Sequence, residues 1–106
     1  MFGFPKKKQE CPPLAPGAVR RHYLVYGRVQ NVGFRYRAMV AAQGLELTGW
    51  VANLEDGSVE MEVQGPPERI DRLIPAITED SHIRVTDLRC RELPVNPREK
   101  RFAVRN

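Results

Sequence analysis

No stretch of this 106-residue chain approaches the roughly twenty consecutive apolar residues of a membrane-spanning helix. A secretory signal is missing too, because Lys6-Lys7-Lys8 runs into Gln9, Glu10 and prolines rather than an apolar segment. These absences imply a cytoplasmic protein with no membrane partner. Cysteine is scarce. Cys11 and Cys90 are too few for a disulfide framework or a metal-ligand cluster, and Cys90, in an alternating stretch, reads as a small buried thiol. His22 and His82 stand apart from ligand-spaced partners, so neither a metal nor a cofactor is expected. Concentrated basic charge is also lacking. The chain carries +4, yet residues 1–20 hold Lys6, Lys7, Lys8 and Arg20 against Glu10 alone. Thirteen basic and twelve acidic residues remain beyond them, a near balance that argues against a nucleic-acid partner. No internal repeat is evident.

What is present fits one domain with one modest core. Residues 1–20, rich in proline and without periodicity, read as a disordered or loosely packed N-terminal extension, leaving a folded domain over 21–106. His22-Tyr23-Leu24-Val25-Tyr26 has the apolar, aromatic character of a buried strand. Phe34, Ala38, Ala41, Ala42 and Leu45 then recur at helical spacing, with Gly44 as the stop. Thr48–Asn53 predicts a second strand, Leu54-Glu55-Asp56-Gly57 a hairpin turn with positive φ at Gly57, and alternating Val59, Met61 and Val63 a third strand. Pro66-Pro67 opens a second helix that buries Ile70, Leu73, Ile74 and Ile77. Pro75 should kink or end that helix, because it lacks a donor and crowds the carbonyl of Asp71. Ile83, Val85, Leu88 and Cys90 predict a fourth strand with a bulge near Asp87, and Phe102–Val104 a short final strand. The order βαββαβ gives a ferredoxin-like two-layer α+β sandwich: an antiparallel sheet, two helices on one face and a short extra C-terminal strand.

The segment Gly27-Arg28-Val29-Gln30-Asn31-Val32-Gly33-Phe34-Arg35 lies where the first strand gives way to the first helix. Backbone N–H groups are unpaired at a helix start, and the helix dipole presents its positive end there. Glycines at both ends permit tight turns and close approach to a ligand. Arg35 adds a fixed charge with a planar fork of donors suited to phosphate oxygens. A cation in the first turn opposes the dipole, a local cost that favours a functional reason for it.

Gly27 to Arg35, together with Gly49-Trp50-Val51-Ala52-Asn53 and Asp56-Gly57-Ser58-Val59-Glu60, resembles the acylphosphatase family. The resemblance runs in register from about Arg21 to Val104, and its one notable departure is Asn31, where family members usually carry glycine. It implies a cytoplasmic, monomeric, metal-free hydrolase of small acyl phosphates. The amides of Gln30, Asn31, Val32, Gly33 and Phe34, with Arg35, would hold the phosphoryl group, and Asn53 would position the attacking water. The proton would pass to a phosphoryl oxygen of the substrate. Trp50 reads as a core or rim aromatic rather than a substrate platform. Two rival classes share the element order: an RNA-binding module and a noncatalytic anion-binding module. Glu60 and Glu62 replace the stacking aromatics an RNA binder would show on its central strands.

Overall fold

The third strand shows most plainly why these residues fold as they do. Val59, Met61 and Val63 are fully buried, while Glu60, Glu62 and Gln64 between them face outward. A period of two with one apolar face makes a half-covered strand. The computed structural model, which describes residues 17–106, places it as β3 (Val59–Gly65) at the centre of a five-stranded sheet. The other elements are β1 (Val19–Arg28), α1 (Phe34–Gly44), β2 (Thr48–Asn53), α2 (Pro67–Ile70), α3 (Leu73–Thr78), β4 (Arg84–Leu93) and β5 (Phe102–Arg105). Most of the expected N-terminal extension lies outside the described residues. β1 nevertheless begins at Val19, before Arg21, with Val19 and Arg20 paired to Gly65 and Gln64.

The sheet runs β4-β1-β3-β2-β5. Its first four strands are antiparallel, as expected, but β5 lies parallel to β2, so the sheet is mixed. The segment 94–101 makes this possible by carrying the chain from one sheet edge to the other. The helices cover one face, where Phe34, Ala38 and Ala42 of α1 and Ile70, Leu73, Ile74 and Ile77 of α2 and α3 are buried. Each buried Leu, Ile or Phe contributes about 1.5–3 kcal/mol.

Three local departures from ideal geometry have identifiable causes. The second helix is split into α2 and α3 across Asp71 and Arg72, where Pro75 leaves the Asp71 carbonyl without its helical donor. Between Tyr26 and Gly27 the β1–β4 register slips past Thr86, a bulge one residue from the expected position. At the end of α1 the left-handed residue is Glu46 (φ 59°), not Gly44. Leu47 N–H returns to Ala42 O at 2.8 Å, dropping the Leu47 side chain into the core.

The outer sheet face is held by charge rather than apolar packing. Buried Arg20 donates to Glu62, Gln64 and, through two nitrogens, Glu99. Its pKa is raised, chiefly by the hydrogen bond to Glu99. This clamp ties β1 to segment 94–101 and thereby sets where β5 begins. His22 pairs with Glu60 at 2.7 Å. Cys90 is half-buried in β4. Among the described residues, no helix is long and apolar enough to cross a membrane.

Candidate active site

The β1–α1 loop turns by alternating the sign of φ. Asn31 (φ 61°) and Gly33 (φ 84°) are left-handed, whereas Gln30 and Val32 are not. Such alternation directs successive N–H groups toward one concavity, an anion-binding arrangement of backbone. Asparagine is among the few non-glycine residues that tolerate this conformation, so the loop forms despite lacking glycine at position 31. Gly33 is the N-cap of α1, and no side chain caps that helix end. Its first intrahelical bond runs from Arg37 N–H to Gly33 O, which leaves the preceding amides available to a ligand. Gly27 has a different task. A Cβ there would lie 2.1 Å from the Arg84 carbonyl oxygen, so glycine lets β1 and β4 approach at the bulge just before the loop.

A cleft of about 320 Å³ opens in front of this loop. It is lined by Val29, Asn31, Gly33, Phe34, Arg35 and Tyr36 from the loop and the start of α1, by Asn53 at the end of β2 and by Val104 of β5. Two residues singled out in the sequence therefore meet here, Arg35 from α1 and Asn53 from β2. Arg35 is half-exposed, and its Nη1 donates to the main-chain oxygen of Asn106, just beyond β5. Asn53 Oδ1 is buried and has no hydrogen-bond partner among the described residues. An orphaned buried acceptor costs about 1–3 kcal/mol, and its position on the cleft makes it available to a bound molecule.

Of the five residues expected to hold phosphate, Gln30 and Val32 do not line the cleft with their side chains. Val32 packs against the core. The Gln30 side chain crosses to the β2–β3 hairpin, where Nε2 donates to Leu54 O at 2.7 Å and Ser58 O at 2.8 Å. It thereby fixes the loop against the hairpin that carries Asn53. The hairpin is itself rigid: Gly57 has φ 95°, and Asp56 Oδ1 accepts from the Ser58 N–H and hydroxyl. Those bonds lower the Asp56 pKa.

Sequence reasoning missed the bridging use of Gln30 and the contributions of Tyr36, Val104 and Asn106. The last two arrive from a parallel edge strand whose position depends on the Arg20–Glu99 clamp, and nothing local in β5 signals it. Arg37, though beside the site in sequence, points away and donates to Ile77 O and Glu79 O, locking α1 to α3. Trp50 faces a separate, shallow depression on the other side of β5, lined also by Arg98, Lys100, Arg101 and Arg105. Arg105 sits 4.4 Å over its ring, so Trp50 serves as a rim aromatic and not as part of the cleft.

No group of three or more His, Cys, Asp or Glu residues among the described residues could hold a metal ion. The cleft itself offers backbone donors, one guanidinium and one amide oxygen around a space the size of a small phosphorylated molecule.

The sequence over residues 21–104 matches the family model described as Acylphosphatase. An acylphosphatase from Burkholderia thailandensis is 46% identical over 79 residues, which cover 74% of this chain and 81% of that protein. One from Clostridium beijerinckii is 40% identical over 88 residues, covering 82% of this chain and 98% of its own length. Among solved structures, an acylphosphatase from Bacillus subtilis superposes with a TM-score of 0.75 at 34% identity, covering 83% of this chain and 99% of that one. Both site-bearing segments fall inside the matched region, and with this loop and strand arrangement the chain belongs to the acylphosphatase family.

Proposed function

We propose that this protein hydrolyses the carboxyl–phosphate bond of small acyl phosphates, using Arg35 and Asn53. The phosphoryl group sits on the amides of residues 30–34 and the N-terminal end of α1, while the Arg35 fork spans two of its oxygens. A carboxylate is a good leaving group, so the reaction needs no strong general acid. Its demands are charge stabilisation and an aligned nucleophile. Asn53 Oδ1 accepts a hydrogen bond from a water and orients it in line with the scissile bond. Water oxygen bonds to phosphorus as the bond to the acyl oxygen breaks. The water's proton passes to a phosphoryl oxygen, since an amide is no base near neutral pH.

The observation that carries this reading is Asn53 Oδ1, unpartnered among the described residues, in the same cleft as Arg35 and an uncapped helix end. Asn53→Ala should lower kcat by about 10²-fold, the penalty for losing reactant alignment. Competitive inhibition by inorganic phosphate should change little, because the anion belongs to the loop and Arg35. If phosphate inhibition weakens as far as turnover falls, Asn53 binds phosphate and the assignment is wrong.

Monomeric action in the cytoplasm, without nucleic acid or metal, belongs to the same proposal.

A further inference from the structure

Four large apolar side chains stay exposed among the described residues: Tyr36, Val40, Val95 and Val104. Two of them, Tyr36 at 67% and Val104 at 43% exposure, line the cleft. Val40 lies one helical turn beyond Tyr36, extending the same stripe along α1. Exposed apolar residues scattered singly need no explanation, but a cluster at the mouth of a polar cleft marks a binding surface. The lining therefore combines two kinds of group: the loop, Arg35 and Asn53 supply polar atoms, and Tyr36 and Val104 supply an exposed aromatic ring and a branched side chain from two different elements.

Charge at the mouth points the same way. Arg35 is the single cation among the residues lining the cleft, and it is assigned to the phosphoryl group. The nearest additional polar group it touches is the main-chain oxygen of Asn106, an acceptor. An anionic acyl portion would meet that oxygen and two apolar side chains, and no second cation among the described lining residues. The basic residues Arg98, Lys100, Arg101 and Arg105 face the other depression, across β5.

We infer that Tyr36 and Val104 form the acyl subsite, and that it selects acyl phosphates with an uncharged aromatic or branched acyl group over those bearing a second anion. This rests on the hydrolytic reading of the cleft and narrows its substrate class. Tyr36 of α1 and Val104 of β5 both meet the acyl group as the phosphoryl end seats on the loop.

The test compares kcat/KM for benzoyl, acetyl and succinyl phosphate in the wild type, Tyr36→Ser, Tyr36→Leu, Val104→Ser and Val104→Lys. Both positions are exposed, so folding should survive, and circular dichroism checks it. Tyr36→Ser and Val104→Ser should each lower the benzoyl-to-acetyl ratio about five- to tenfold, the scale of losing one apolar contact in a pocket. Tyr36→Leu should retain most of the ratio, because it keeps an apolar wall. Val104→Lys should raise the succinyl-to-benzoyl ratio several-fold by supplying the missing cation. The inference is overturned if both serine variants keep the wild-type ratio within about twofold, or if the wild type turns over succinyl phosphate as efficiently as benzoyl phosphate. Absence of turnover of all three substrates would overturn the hydrolytic reading itself, and the subsite with it.

Discussion

Replacing Gln30 with alanine removes the two hydrogen bonds that join the β1–α1 loop to the β2–β3 hairpin. Each acceptor retains another partner: Leu54 O accepts from Gly57 N–H, and Ser58 O from Leu54 N–H. No carbonyl is orphaned, so the expected loss is the net value of two hydrogen bonds, about 1–2 kcal/mol in all. For a domain of this size that corresponds to a drop in Tm of about 5–10 °C. The larger effect should be on catalysis. Asn53 sits at the hairpin end of β2 and Arg35 follows the loop, so the Gln30 bridge holds one to the other. A drift of about 1 Å in that spacing can lower turnover about 10²-fold. Gln30→Glu discriminates further, because its carboxylate would face two carbonyl oxygens with no proton to donate. It should be less stable than Gln30→Ala despite its closer shape. Thermal denaturation and steady-state hydrolysis of benzoyl phosphate measure both effects. If Gln30→Ala matches the wild type in kcat/KM, or if Gln30→Glu is as stable as the wild type, the bridge does not position the site.

Arg35→Ala should lower kcat/KM by about 10²–10³-fold with the fold intact, and Arg35→Lys should also be poor because a point charge cannot span two oxygens; kinetics and circular dichroism together check this. Asn31→Gly should keep or modestly raise kcat/KM with a stability loss of about 0.4–1 kcal/mol from a more flexible unfolded chain. Asn31→Val should be far worse in both, since φ is 61° and a β-branched residue there costs about 1–3 kcal/mol, as urea denaturation would read. Gly27→Ala should sharply reduce the yield of folded protein, because its Cβ would collide with the Arg84 and Thr86 backbone. Asp56, whose pKa is lowered by Ser58, should add stability above its unfolded pKa that is lost as pH falls through its folded pKa; Ser58→Ala should flatten that acid limb in denaturation curves.

Much of this protein is legible along the chain because the governing forces are local. A period of two through Val59, Met61 and Val63, helical spacing through Ile70, Leu73, Ile74 and Ile77, and Pro75 inside that spacing each dictate backbone geometry within a few residues. Positive φ at Gly57, and tolerance of it at Asn31, follow from side-chain sterics alone. The loop and Arg35 are contiguous, so their proposed joint role as an anion site can be read before folding. Sequence reading fails where the outcome depends on which elements become neighbours. Glu46 rather than Gly44 takes the left-handed turn after α1, because Leu47 must reach the core. β5 joins β2 in parallel because buried Arg20 holds Glu99 on the crossing segment, a partnership 79 residues apart in sequence. Gln30 resembles a phosphate ligand in its motif, yet its amide is used on a hairpin that only folding brings within reach. The sequence by itself determined the elements and the glycine-bounded loop that runs into α1 with Arg35, while Asn53 is singled out only through the family resemblance. Tertiary structure alone decided that the loop and Asn53 share one cleft, that Tyr36 and Val104 join them there, and that Arg20 clamps Glu99, because long-range pairing selects among neighbours that local propensity leaves equivalent.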